Sequence, residues 1–288
     1  MTLDSVSWTA VVVAALRAIE THHPDSLVAD PYAEHFVRAA QGERKLPTRI
    51  EEVVGGDDDP IWGRGGRYLG LRTRAFDDYF RSAAAADVRQ YVILGSGLDT
   101  RAYRLEWPAE CTLFEVDQAH VQDFKSEVLT SLGATPPVHL TRIGVDLREN
   151  WYEALLGAGF DPARPTAWLA EGLLLYLPAD AETELIDVVE VASAPGSHIA
   201  YESTREEALV RSGSIIEETE AKTGMDFSAL FHPDARPDSL GRLRGAGWHM
   251  AERSVFDFAA QYGRGPEPDV DDAIASLRWV LGTKSAIG

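Results

Sequence analysis

A mostly parallel α/β sheet is the fold class that this sequence predicts, and three observations predict it. The apolar run Tyr91-Val92-Ile93-Leu94 breaks into Gly95-Ser96-Gly97 and then into a helix start at Asp99-Thr100. Strand, glycine turn and helix in that order form the ligand-binding corner of a doubly wound sheet. From Gln90 onward apolar runs alternate with helical stretches, placing strands near 90–94, 111–116, 138–144, 166–170 and 198–202. Acids also recur at the ends of these runs, at Asp117, Asp146 and Glu171. Two last strands, near Trp248–Glu252 and Leu277–Thr283, read as an antiparallel hairpin with a long loop between them. The expectation is a Rossmann-like single domain over 1–288, mostly parallel, with a C-terminal antiparallel hairpin, an N-terminal helical cover and an inserted helical lid.

Taken in order, residues 1–86 read as the cover. Trp8–Ile19 is apolar on nearly every side, so that helix is expected to be sandwiched. Asp30-Pro31 restarts a helix through Tyr32–Ala40. Glu43–Gly66, rich in Gly, Asp and Pro, reads as loop. In the helix Arg67–Ala86, Leu69, Phe76, Tyr79, Phe80 and Ala83 share one face at helical spacing, with Arg72 in their midst. Arg74, Asp77, Asp78 and Arg81 fall on the opposite face. The core, 87–204, adds helices at Gln118–Leu132 and Ala181–Ala194, the latter stopped by Pro195-Gly196. Arg205–Pro237 is acidic and amphipathic where a plain crossover would suffice, and reads as a lid. Residues 238–288 carry the last strands.

The composition bounds the function. The chain has 288 residues, 45% of them hydrophobic, enough for one elaborated α/β core. A formal net charge of −19 argues against nucleic acid or an anionic membrane as partner, because both need a basic face. Cys111 is the single cysteine, so no internal disulfide forms, and no Cys/His cluster has zinc spacing. His22-His23-Pro24 reads as a helix end rather than a metal site. The start MTLDSVSW lacks a positive n-region, and Ala10–Leu16 is too short to span a bilayer, so a cytoplasmic location is expected.

The glycine turn separates two cofactors. A dinucleotide loop wants a third glycine at position 100, which is Thr100, and Asp99 puts an anion where a pyrophosphate would lie. S-adenosylmethionine has no phosphate and carries a cationic sulfonium and ammonium, so an acidic corner suits it better. A nicotinamide dehydrogenase is the competing enzyme class. Arg72 has two readings: a guanidinium paired with a structural carboxylate, or a clamp on a ligand carboxylate. Each of Asp117, Asp146 and Glu171 could alone be a helix cap or first-turn acid. Asp117 is read as an exposed strand-end acid. Their register at one sheet edge favours a site.

With these residues in hand, the sequence resembles the leucine carboxyl methyltransferase-like branch of class I S-adenosylmethionine-dependent methyltransferases, especially actinobacterial members. The resemblance runs from about Val6 to Trp248. It rests on Asp30-Pro31-Tyr32-Ala33, Arg72-Thr73 with Phe76-Asp77, Gly97-Leu98-Asp99-Thr100-Arg101, Glu115-Val116-Asp117, Asp146-Leu147-Arg148, and Ala170-Glu171-Gly172 with Tyr176-Leu177. It implies that Arg72 holds the methionine carboxylate and that Gly95 and Gly97 line the methionine, with Asp99 in the same loop. Asp117 would take the ribose hydroxyls, Asp146 with Leu147 the adenine, and Glu171 the ammonium. The eukaryotic members use a lysine near the N-terminus, but this chain has none before Lys45, leaving Arg72 alone or with a backbone group.

The expected reaction is methyl transfer to a carboxylate of a small metabolite or peptide, with Tyr176 the candidate for positioning the acceptor. A carboxylic acid, with a pKa near 4, is already a nucleophile at neutral pH, whereas a phenol, near 10, needs a base. The alternatives are a phenol or enol O-methyltransferase of secondary metabolism and a cofactor-binding protein without turnover. His120 and His198 are read as structural. His22, His23 and His232 are the histidines that could reach the site.

Overall fold

The computed structural model describes residues 5–40, 45–204, 213–224, 234–268 and 273–285. Seven strands form one sheet: β1 Gln90–Leu94, β2 Thr112–Asp117, β3 His139–Gly144, β4 Thr166–Ala170, β5 His198–Thr204, β6 Trp248–Ser254 and β7 Leu277–Lys284. Their spatial order is β3-β2-β1-β4-β5-β7-β6. The pairs from β3 to β5 are parallel, while β7 runs antiparallel to both β5 and β6. The antiparallel pair therefore ends the sheet with its last strand, β7, on the inside.

Helices cover both faces: α1 Ser5–His22, α2 Ala33–Ala40, α3 Gly63–Ala85, α4 Arg101–Arg104, α5 Ala119–Ser131, α6 Trp151–Gly157, α7 Ala179–Val191, α8 Gly213–Thr223, α9 Ser239–Gly245 and α10 Val255–Tyr262. Alternating strand residues feed two cores. Tyr91, Ile93, Leu113, Leu169 and Trp279 pack with α1, α3 and α10. Val92, Leu94, Phe114, Trp168 and Val280 pack with α6, α7 and α9. Burial on both faces explains why these strands read as continuous apolar runs.

Three expectations change. Helix α3 starts at Gly63, inside the expected loop, because Asp59 accepts hydrogen bonds from the N–H groups of Ile61 and Trp62 at 2.9 and 2.8 Å and shapes the turn before it. The β6–β7 connection contains α10 rather than only loop. Ser254 and Asp257 form a reciprocal capping box, and Gly263 ends the helix at φ 67°. Asp77 is not on a solvated face of α3 but buried, for a reason given below. Of the expected lid, only residues 213–224, which hold α8, and 234–237 lie within the described residues. Helix α8 rests on the cover: Trp8 Nε1 donates to Thr223 O at 2.8 Å, and Lys222 pairs with Asp59 at 2.5 Å.

Candidate active site

Parallel strands end together, so acids placed one per strand converge on one edge. Here a cavity of about 240 Å³ opens at the C-terminal ends of β1, β2 and β4, and Arg72, Gly95, Gly97, Asp99, Asp117, Asp146, Leu147, Glu171 and Tyr176 all line it. Helix α1 closes it from above with Thr9, Ala10, Val13 and Arg17.

The glycine turn is open for a physical reason. Gly95 has φ 63°, and a Cβ there would lie 2.8 Å from Leu173 Cδ1. Gly97, at φ 44°, donates its N–H to Asp117 Oδ2 at 2.6 Å, and Gln118 N–H reaches Asp117 Oδ1 at 2.7 Å. Asp117 is therefore a partly buried clasp between β2 and the turn, not the exposed strand-end acid expected. Burial pushes its pKa above the ordinary 3.8, against the lowering effect of these N–H groups.

Asp146 is held by Arg148, whose backbone N–H, Nε and Nη2 all reach it, and these bonds lower its pKa. Leu147, beside it, is buried. Val121 and Val145 join Leu147 in an apolar wall of the cavity.

The floor is an alternating charge network. Arg72 Nε lies 2.9 Å from Glu171 Oε1, and Arg72 Nη1 lies 3.2 Å from Glu202 Oε2. Glu202 also accepts from the Tyr68 hydroxyl at 2.9 Å. Burial opposes the Arg72 charge, but Glu202 and Glu171 more than offset it and raise its pKa. Arg72 is thus paired with carboxylates, as the first of its two readings has it, and it also lines the cavity. Glu171 Oε2 is 2.6 Å from Arg101 Nη1. Arg101 also bonds Asp99, and its Nε donates to Asp77 at 2.8 Å. Arg104 reaches Asp77 too, at 2.5 Å. These two arginines draw Asp77 into the interior. Asp99 lies within this network; burial would raise its pKa, but Arg101, Lys125 and Arg104 hold it down to about 2.

Sequence reasoning assigned no role to Arg17, Arg101 or Glu202. Arg17 Nη2 donates to Leu98 O at 2.6 Å, fastening α1 to the turn, and its Nε pairs with Asp30 at 3.3 Å. Asp30, Arg101 and Asp77 stood in the motifs quoted above. Glu202, an acid inside an apolar strand, was the unread signal for Arg72's partner.

Tyr176 follows a short turn after Glu171, and burial raises its phenol to about 12, with Arg72 pulling the other way. His22 pairs with Glu34, and His23 with Asp25 and Asp57; neither lines the cavity. His198 starts β5 at the opposite edge of the sheet. His232 lies outside the described residues. Among the described residues, no group of three or more His, Cys, Asp or Glu is arranged to hold a metal ion, and no helix is long and apolar enough to cross a membrane.

The sheet order, the glycine turn after β1 and the acids at the strand ends define a class I methyltransferase fold. Solved structures share it. A DUF574 family protein from Streptomyces avermitilis aligns with a TM-score of 0.56 at 15% identity, over 87% of this chain and 95% of that one. The family model for leucine carboxyl methyltransferase matches residues 10–190. A Streptomyces coelicolor protein named "Putative S-adenosyl-L-methionine-dependent methyltransferase" is 49% identical over 283 residues, covering 97% of this chain and 93% of that one. A Saccharopolyspora erythraea protein of the same description is 44% identical, covering 91% and 90%. The chain belongs to the leucine carboxyl methyltransferase family and is an S-adenosylmethionine-dependent methyltransferase.

Proposed function

We propose that the cavity holds S-adenosylmethionine and that the methyl group passes to a carboxylate oxygen of a small metabolite or peptide. The residues present fit the cofactor. Each Asp117 oxygen accepts one backbone N–H and keeps a lone-pair direction for a ribose hydroxyl. Val121, Val145 and Leu147 offer an apolar slot for adenine, with Asp146 beside it as acceptor for the amino group. Arg72 offers its planar fork to the methionine carboxylate, and Glu171 faces the ammonium. Gly95 and Gly97 let the chain pass close to the methionine. The bound cofactor supplies an already activated methyl group. The protein's part is to align the acceptor and exclude water, which α1 does from above. Of the expected lid, the described helix α8 is the part that would cover the site in this reading.

The observation that supports the carboxylate reading is the cavity lining, which among the described residues includes no histidine or lysine to take a proton from a neutral acceptor. Tyr176, a phenol that is neutral at pH 7 with or without the rise that burial gives it, is the candidate for positioning the acceptor. The other polar side chains described at the cavity are mostly arginines and carboxylates tied to one another, so an acceptor that arrives ionised is the one they suit. The test is the product. A methyl ester releases methanol in mild alkali, and its rate of formation is nearly flat from about pH 6 to 8 because the acceptor is ionised throughout. An alkali-stable methyl ether, formed at a rate that climbs with pH, rejects the proposal.

A further inference from the structure

Arg101 ends the motif Gly97–Arg101, of which the cofactor contacts proposed above use only Gly97, and it is 1% exposed. It makes no part of the cavity lining, yet its Nη1 lies 2.6 Å from Glu171 Oε2. Two of its other bonds lead away from the cavity, Nε to Asp77 at 2.8 Å and Nη2 to Thr73 O at 3.4 Å, while Nη1 also bonds Asp99 at the cavity wall. Asp77 is itself clamped by Arg104 at 2.5 and 2.7 Å, so Arg101 is anchored to α3 and α4 together. Glu171 is thus held from two sides. Arg72 holds Oε1 from within the cavity, and Arg101 holds Oε2 from behind.

These two partners are not equivalent once a ligand carboxylate arrives. Arg72 borders the cavity and can exchange Glu171 for the incoming anion; Arg101 is enclosed and cannot. We infer that Arg101 is a positioning residue that keeps Glu171 in place, aimed at the ligand's ammonium, when Arg72 turns to the ligand's carboxylate. This rests on the cofactor reading above. Without Arg101, Arg72 is the one ion-pair partner left to Glu171 among the described residues, and the closed Arg72–Glu171 pair competes with the amino-acid end of the ligand. The adenosine end, at Asp117 and Asp146, is untouched by that competition.

The two ends can be probed separately by calorimetry on the intact protein. S-adenosylhomocysteine carries the amino-acid end; 5′-methylthioadenosine has the same nucleoside and thioether without it. Arg101→Lys is expected to lower affinity for S-adenosylhomocysteine about 10-fold while 5′-methylthioadenosine stays within about 2-fold. Arg104→Lys touches the same Asp77 but not Glu171, and should leave the ratio of the two affinities unchanged. In a Glu171→Gln background, Arg101→Lys should add no more than about 2-fold, because the residue it positions has lost its charge. If Arg101→Lys does not fold, Arg101→Gln carries the same test. Equal loss for both ligands, no loss for S-adenosylhomocysteine, or an additive loss on Glu171→Gln each overturns the inference. Failure of the underlying reading looks different: Glu171→Gln alone would then leave the preference for S-adenosylhomocysteine intact.

Discussion

Replacing Asp117 by alanine should weaken the ligand and the fold together, by separable amounts. In the free protein the carboxylate holds Gly97 N–H at 2.6 Å and Gln118 N–H at 2.7 Å. Alanine removes both acceptors, and water entering from the cavity replaces them in part, for a net cost of about 2 kcal/mol. For a chain of this size that lowers the melting temperature by about 3 °C. In the complex, two charge-assisted bonds to ribose are lost as well, each worth about 1.5–3 kcal/mol. Affinity for S-adenosylhomocysteine should therefore fall at least about 100-fold by calorimetry. Acidity adds a signature. Burial raises the Asp117 pKa, so the ionised form that accepts the ribose bonds is lost at a higher pH than for an ordinary aspartate. Ligand affinity should weaken on acidification from neutral pH sooner than a pKa of 3.8 would give, and that early weakening should vanish in Asp117→Ala. The stability linkage has the opposite sign: the neutral form suits the buried site, so this contribution is present below the unfolded-state pKa and lost as pH rises through the raised one. A folded Asp117→Ala protein that binds S-adenosylhomocysteine as tightly as the parent refutes the ribose role. An unchanged melting temperature refutes the clasp.

Arg72→Ala should cost at least about 30-fold in S-adenosylhomocysteine affinity, while Arg74→Ala, partly exposed and paired with Asp78 on its own helix, changes it less than about 2-fold; equal losses in titration would show the assignment wrong. Gly95→Ala should lower stability by about 1–3 kcal/mol in denaturant titration, because φ is 63° and the new Cβ meets Leu173; an unchanged midpoint would mean that the turn relaxes freely. Hydrogen exchange across Gly213–Thr223 should slow when cofactor and acceptor bind together, and full protection already in the free protein would make α8 ordinary structure rather than part of a lid.

The sheet was legible because its signals are local. Strands buried on both faces read as apolar runs, and glycine and proline punctuate them, so β1 and β4 fall on the expected residues. The cavity residues were legible for a topological reason: acids at successive parallel strand ends must meet at one edge. What escaped was set by contacts distant in sequence. Helical phase placed Asp77 with solvated residues, but Arg101 and Arg104, more than twenty positions on, bury it. Asp117 looked like a free strand-end acid because its partners are backbone N–H groups, which a side-chain pattern does not show. Helix α10 was missed although Ser254 and Asp257 announce it, since the residues after Glu252 were read as the long loop between the last two strands.

The most direct test of the account is a crystal structure with S-adenosylhomocysteine bound. The account predicts both ribose hydroxyls on Asp117 and the ligand carboxylate on Arg72. Glu171 should have exchanged Arg72 for the ligand's ammonium while Oε2 remains on Arg101. A ligand seated with the Arg72–Glu171 pair still closed, and its carboxylate bound elsewhere, would contradict it.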